Sequence, residues 1–238
     1  MSGLMAVLHP MRLLAPVLAL CLLASPVHAS RKPAAATAAS APVPLLWEVR
    51  GAGDSRVLLL GSFHLLQDSD YPLAEDVQQA YAQADRLVFE LSPEEMTSPA
   101  LAGAMLAAAS RRDGSLLQKD ISAADWQRLT QWSAQRAMPI ERLQGLHTWF
   151  VAINLSLVEM ANAGMQAELG LDRHLMQRAV QDGKATAGLE TGAAQIGVFT
   201  AMGQAEQQQM LAEALDEAGQ GGARWRALHA AWRRGDIA

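Results

Sequence analysis

The sequence contains very little cysteine. Cys21 is the only cysteine among the 238 residues, and it lies in an N-terminal stretch that we expect to be removed from the mature chain. A chain without cysteine has no disulfide, no thiolate nucleophile and no zinc–thiolate site. Its stability must therefore come from packing, and residues 30–238 are sufficient for one sizeable domain.

The N-terminal stretch lacks an apolar run long enough to cross a membrane. Leu13–Ala24 is uncharged and apolar but has only 12 residues, whereas a spanning helix needs roughly 20. Arg12 precedes this run and the small-residue site Val27-His28-Ala29 follows it, an order that is typical of a cleavable signal peptide. The alternative is an uncleaved anchor, which the short run disfavours. We therefore predict a signal peptide at residues 1–29 and a periplasmic or secreted protein without a stable membrane anchor after cleavage.

The sequence has no excess of positive charge. Lys and Arg total 19 and Asp and Glu total 24, which gives a net charge of −5. Loss of residues 1–29 removes Arg12 as the only charged residue and changes the net charge to −6. Because nucleic-acid-binding domains are usually basic, we expect no nucleic acid among the partners.

Composition separates a linker from a folded domain. Residues 30–44 are rich in Ala, Pro and Ser and show no periodicity, which predicts a flexible linker. The sequence shows no internal repeat of solenoid length. We therefore predict that residues 45–238 form the folded domain.

The first part of this domain has the pattern of strands. Residues 45–50 alternate apolar and polar, 51–54 have turn chemistry, and 56–61 form an apolar run that ends in glycine. This pattern predicts a hairpin whose second strand is buried on both faces. A helix at 74–84 and a second buried strand at 86–91 would complete a βαβ unit with parallel pairing.

The rest of the domain is predicted to be mainly helical. Ser92, Pro93 and Glu95 have the spacing of a helix N-cap, a first-turn proline and a capping box. Further helices are predicted from 122 to 161 with a break near 139, at 171–179, and from 191 onward with a break at 219–222. Residues 183–190 look like a third parallel-type strand. The predicted class is α/β (α+β), a mixed and mainly parallel central sheet with an N-terminal hairpin and a large helical insertion.

Each of the three predicted buried strands ends in a polar residue that could carry chemistry. The first leads into His64 through Gly61-Ser62-Phe63, the second ends at Glu90 and the third at Glu190. If the strands are parallel, these residues meet at one edge of the sheet, where ligands bind in open α/β folds. One imidazole and two carboxylates suit a divalent metal, and they equally suit acid/base chemistry. Gly61 would let the backbone approach a ligand closely.

Structural roles for these residues remain an alternative. A histidine after a strand is often a hydrogen-bonded structural residue, and Glu90 precedes a helix that it could cap. His147 and His174 lie in predicted helices and are weaker candidates. His229 lies in a basic terminal helix, and we expect it at the surface.

Several segments resemble the TraB/GumN family of bacterial GumN proteins, which is related to the animal Tiki proteases. The resemblance runs from about Leu45 to Asp236, and its most specific part is GSFH, a GxxH motif directly after an apolar strand. The segments that carry it are LLWEVRG, VLLLGSFHLLQDSDYPL, LVFELS, GLDRHLMQRA, GKATAGLET and AWRRGD.

The resemblance implies a metal-dependent hydrolase, because Tiki proteins act as manganese- or cobalt-dependent peptidases. His64, Glu90 and Glu190 would then bind the divalent metal, with Glu90 and Glu190 also as the catalytic acids. Gly61, Ser62 and Asp172 would lie in the second shell or near the substrate, which is possibly a peptide. Two alternatives remain open: a non-catalytic periplasmic metal- or haem-binding protein, and an accessory factor in exopolysaccharide export.

The sequence departs from the family pattern at one point. Family members usually continue to a last strand that carries a second GxxH motif, and this sequence has none. The resemblance therefore implies a domain that is C-terminally incomplete.

Overall fold

Residues 41–53 and 55–236 are described by the structure, which is a computed structural model. The predicted signal peptide and residues 30–40 of the predicted linker lie outside these residues. The last linker residues are packed rather than free, since Pro42 and Pro44 are buried and the Val43 amide donates to the Arg233 carbonyl at 2.8 Å. None of the helices in the described ranges is long and apolar enough to cross a membrane.

The described strands form two pairs. β1 (Leu46–Arg50) and β2 (Arg56–Leu60) form the predicted antiparallel hairpin, with Leu46 opposite Leu60. β3 (Arg86–Phe89) pairs in parallel with β4 (Ala185–Gly188). β4 is the third parallel-type strand that the sequence predicts. The α/β class, the hairpin and the large helical part are thus confirmed, while the strands lie in two separate sheets.

Two predictions for β2 are wrong: it does not pair in parallel with β3 in a βαβ unit, and it is not buried on both faces. Among the described residues β2 pairs only with β1, and β3 only with β4, so the helix between β2 and β3 connects two different sheets. Val57 and Leu59 of β2 and Val88 of β3 are each more than half exposed, because no described element covers that face of either strand. An apolar run alone does not reveal how many of its faces are covered.

The helical part agrees closely with the sequence pattern. Both serine N-caps are present: Ser92 accepts from the Glu95 amide and Ser122 from the Asp125 amide. The helices are α1 (Glu75–Gln83), α2 (Pro93–Met96), α3 (Pro99–Ala109), α4 (Leu117–Asp120), α5 (Ala123–Gln135), α6 (Thr148–Asn162), α7 (Leu171–Gln181), α8 (Gly192–Ala201), α9 (Gln204–Gly219) and α10 (Ala223–Arg234).

The capping box predicted at Glu95 is wrong. Its carboxylate does not return to its own helix but accepts a hydrogen bond of 2.6 Å from the Gly192 amide at the start of α8. The side chain therefore joins the first turns of two helices through residues that are 97 positions apart, a contact that local spacing cannot reveal.

Two main hydrophobic cores support this arrangement. One lies between α5, α6 and α9 and includes Leu129, Leu155 and Leu211. The other lies between α1, β3 and α7 and includes Phe89 and Leu171. The second core contains the start of α7, so it fixes the helix that carries Asp172.

Helix α10 binds the segment that follows β2, residues 61–70, which we call the site loop. Asp70 is fully buried and is hydrogen-bonded to His229 at 2.7 Å and paired with Arg233. Trp232 Nε1 donates to the Gly61 carbonyl at 2.9 Å. The expectation of a surface His229 is therefore wrong, because the buried Asp70 carboxylate draws the imidazole into the interior.

Candidate functional site

The site loop and the first turn of α7 are held together by backbone contacts. The Leu171 amide donates to the Phe63 carbonyl at 3.0 Å. At Gly170, the residue before α7, an added Cβ would collide with the carbonyl group of His64. Glycine at this position therefore allows the two segments to approach closely, and the approach places Asp172 beside the side chains of the loop.

Asp172 is the centre of a three-residue cluster. His64 Nδ1 lies 3.0 Å from Asp172 Oδ2, and the Ser62 hydroxyl donates to the same oxygen. The Asp172 side chain is 20% exposed, whereas that of His64 is 65% exposed. Ser62 is bonded to the carboxylate and not to the imidazole, so the cluster is not a serine–histidine–aspartate triad.

Electrostatics favour an ionised Asp172 next to a basic His64. Burial by itself raises the pKa of the Asp172 carboxyl, but the hydrogen bonds from His64 and Ser62 outweigh burial and hold the pKa below its usual value. The hydrogen bond to Asp172 raises the pKa of His64; partial burial opposes this, and the charges of Asp172 and Glu90 add to it. The net effect is a histidine with a pKa above its usual value of 6.5.

The cluster fixes the tautomer of His64. An ionised carboxylate at Nδ1 accepts a proton from that nitrogen, so the neutral ring carries its proton on Nδ1 and leaves the Nε2 lone pair free. The imidazole borders a cleft of about 830 Å³, which we call the α7 cleft. His64 thus has the features of a base at the edge of a space that could hold a substrate.

A second cavity lies on the other side of Asp172. It has a volume of about 390 Å³ between β2 and β3, and its lining includes Ser62, Glu90 and Asp172. Glu90 is exposed, and its negative charge contributes to the raised pKa of His64. The structure therefore brings Ser62, His64, Glu90 and Asp172 into one region.

Glu190 reaches this region only through its backbone. Its amide donates to the Glu90 carbonyl at 3.0 Å, just beyond the end of the parallel pairing of β3 and β4. Its side chain is exposed, accepts from Gln195 Nε2 at 3.2 Å, and borders neither cavity. Gly61 has an ordinary environment, since an added Cβ would lie 3.6 Å from its nearest neighbour, the Leu45 carbonyl oxygen.

The expected metal ligands do not form a three-donor set. Within residues 41–53 and 55–236, no three side chains of His, Cys, Asp or Glu lie close enough together to hold an ion. His64 contacts Asp172 instead, and Glu190 is bonded to Gln195. A divalent metal at His64, Glu90 and Glu190 stays a prediction that this arrangement does not fit.

The sequence analysis did not identify the residues that attach the site loop to α10. Asp70, His229 and Arg233 form the buried ion-pair cluster, and Trp232 bonds the loop carbonyl. Their partners are more than 150 residues away along the chain, so no spacing pattern points to them. The one available signal was that residues 229 and 233 are four apart and share a helix face.

Comparison with known protein families identifies a matching family. The family model described as TraB/PrgY/gumN matches residues 45–238. Searches of curated proteins and of solved structures found no match.

Proposed function

Since this chain belongs to the TraB/PrgY/gumN family, we propose that it is an exported, peptidase-like hydrolase in which His64 is the general base. The observation that carries the proposal is the pairing of His64 Nδ1 with Asp172, which leaves Nε2 free at the α7 cleft. A base needs a free lone pair, a fixed orientation and access to substrate, and His64 has all three.

The proposed reaction is attack of water on a peptide carbonyl. His64 Nε2 takes a proton from the water as its oxygen bonds to the carbonyl carbon, and Asp172 stabilises the imidazolium that forms. The carbon–nitrogen bond then breaks, and Nε2–H returns the proton to the leaving amine. Ser62 keeps its proton on the hydrogen bond to Asp172, so it orients the carboxylate rather than acting as a nucleophile.

Metal activation of the water is the competing form of this proposal. The ring nitrogen of a metal-bound histidine that does not bind the metal commonly donates a hydrogen bond to a carboxylate, as Nδ1 of His64 does here. Manganese or cobalt is the metal that the family resemblance implies. Metal sites generally use three or more protein donors or retain many waters, and the described residues do not bring three together. The general-base form therefore fits this arrangement better.

The test uses the protein beginning at residue 30 with a fluorogenic peptide library. We expect turnover that persists in EDTA, and a loss of about 100-fold or more in H64Q, since a general base contributes about that much. H147Q is the matched control: His147 precedes α6 and borders neither cavity. It should retain full activity.

Three outcomes would contradict the proposal. Turnover that appears only with added manganese or cobalt would show that a metal, and not His64 as general base, activates the water. Equal activity of H64Q and the unmodified protein would remove His64 from the chemistry. No turnover with or without metal would favour a binding or accessory role.

A further inference from the structure

The α7 cleft is larger than a single catalytic histidine requires. Its volume is about 830 Å³, and it extends from His64 along α7 toward the end of that helix. Its apolar lining comes from the site loop, from α2, from the short turn before α7 and from α7 itself, and consists of Leu65, Pro93, Met96, Ala167, Met176 and Val180. Met96 and Val180 are exposed, so they present apolar surface to the open cleft.

Helix periodicity arranges the α7 side of this cleft in two rows. Asp172, Met176 and Val180 are four residues apart and form one row, which begins at the site and continues as apolar lining, with Met176 largely buried and Val180 exposed. The eight steps from residue 172 to residue 180 span about 12 Å along the helix axis. An extended peptide advances about 3.3 Å per residue, so this row has the length of three to four peptide residues.

The second row is polar and runs beside the first. It consists of Arg173, Gln177 and Gln181, which also line the cleft. Within the described part of the chain these three side chains make no hydrogen bond or ion pair. Arg173 therefore offers a guanidinium next to Asp172 whose charge no described carboxylate neutralises, and the glutamines offer amide groups that suit a peptide backbone.

We propose that the α7 cleft binds an extended peptide segment of three to four residues that combines a large aliphatic side chain with a carboxylate. The aliphatic side chain packs on Met96, Met176 and Val180, and the carboxylate pairs with Arg173. This inference rests on the proposed function in one respect, that the cleaved bond lies at His64. The carboxylate is either the C-terminus of the peptide or an acidic side chain.

Binding is measured with H64Q, which cannot use His64 as a base, so that affinity is separated from cleavage. Fluorescein-labelled tetrapeptides with leucine residues are compared with serine analogues by fluorescence anisotropy. Leucine peptides should bind about ten-fold more tightly, the effect of burying about one aliphatic side chain. Each leucine peptide is made with a C-terminal acid, with a C-terminal amide, and as an amide with an added aspartate.

Two variants in the H64Q background test the two rows. V180D should weaken the leucine peptides about ten-fold, whereas V198D should not; Val198 of α8 is the matched control because it is 64% exposed and Val180 65% exposed, and it lies outside the cleft. R173Q should remove a preference of about three-fold for carboxylate-bearing peptides, as expected for a partly exposed ion pair. R224Q, an exposed arginine of α10 outside the cleft, should retain it.

The outcomes separate this inference from the proposed function. Equal affinity for leucine and serine peptides, or equal effects of V180D and V198D, would overturn the claim that the apolar row binds the aliphatic side chain of the peptide. Equal affinity of the plain amide peptide and of both carboxylate-bearing peptides would overturn the role of Arg173. Preference for the C-terminal acid or for the aspartate peptide identifies the source of the carboxylate. Selective binding without turnover in the unmodified protein would contradict only the proposed function.

Discussion

At the residue scale, one carboxylate sets the chemistry of the candidate site. Asp172 accepts hydrogen bonds from Ser62 and His64, and these contacts keep its pKa low although burial alone raises it. Its charge in turn fixes the proton of His64 on Nδ1 and raises the pKa of the imidazole. The basicity of His64 therefore depends on a residue 108 positions later in the chain.

The pH dependence of turnover should report this pairing. A general base acts in its neutral form, so kcat/KM should rise with pH through a midpoint above 6.5, because Asp172 raises the pKa of His64. In D172N the midpoint should move to lower pH and the rate should fall about 100-fold, since the tautomer is no longer fixed. Profiles of both proteins from about pH 5 to 9 measure this. An unchanged midpoint in D172N would contradict it.

Asp70 should be a large contributor to stability. Burial raises the pKa of its carboxyl, but the hydrogen bond from His229, the Gln67 amide and the Arg233 contact outweigh burial and lower it. A lowered pKa stabilises the fold above the unfolded value near 3.8, and this stabilisation is lost as the pH falls through the folded pKa. D70N should cost about 3 kcal/mol at neutral pH, because it removes the buried carboxylate charge that pairs with His229 and Arg233.

Chemical denaturation measures this difference, and Asp68 provides the control. Asp68 lies in the same short helical turn but is exposed, so D68N should change the free energy of unfolding by less than about 0.5 kcal/mol. The gap between the two variants should narrow as the pH is lowered below about 4. Equal destabilisation by D70N and D68N would show that the buried cluster contributes nothing.

At the element scale, local signals were predictable and long-range pairings were not. The hairpin, the caps at Ser92 and Ser122 and the breaks near 139 and at 219–222 depend on residues within a few positions of one another, and these were recognised, whereas the Ser98 cap and the break at 202–203 were missed. The partners of Glu95 and His229 lie 97 and 159 positions away, and both side chains were assigned wrongly. Histidine and glutamate at strand ends directed attention to the correct region, but the contact between His64 and Asp172 needed the fold.

The prediction that the strands are buried on both faces was wrong for a related reason. An apolar run predicts a strand whose faces are both covered only if other elements are available to cover them. On β1 and β2, Trp47 is paired with Leu59 and Val49 with Val57, and all four side chains are more than half exposed. The sequence pattern specifies the strands, whereas the covering of their outer face depends on the arrangement of other elements.

At the scale of the whole molecule, this outer hairpin face is an exposed apolar patch. Val49 and Val57 are neighbours across the two strands, and each is isosteric with threonine. The V49T/V57T variant should retain the free energy of unfolding of the original protein within about 0.5 kcal/mol, because little apolar area is buried there. It should also bind less of the dye ANS and remain monodisperse at higher concentration. A loss of several kcal/mol would show that the face is covered in solution.

Export is a further prediction at this scale. The site Val27-His28-Ala29 predicts cleavage before Ser30. Protein recovered from the periplasm of a Gram-negative host should have the intact mass of residues 30–238. A mass that still includes Leu13–Ala24 would contradict the predicted signal peptide.

The attachment of α10 to the site loop has a consequence for the order of folding. Trp232 bonds to Gly61 across 171 positions and His229 to Asp70 across 159, and contacts that close such long loops form late and slowly. A chain that crosses a membrane with its N-terminus first delivers the loop long before the helix that holds it. If the protein is exported and acts as the hydrolase proposed above, we expect His64 to remain poorly positioned until residues 223–234 have emerged, so that the enzyme would be inactive for most of its passage.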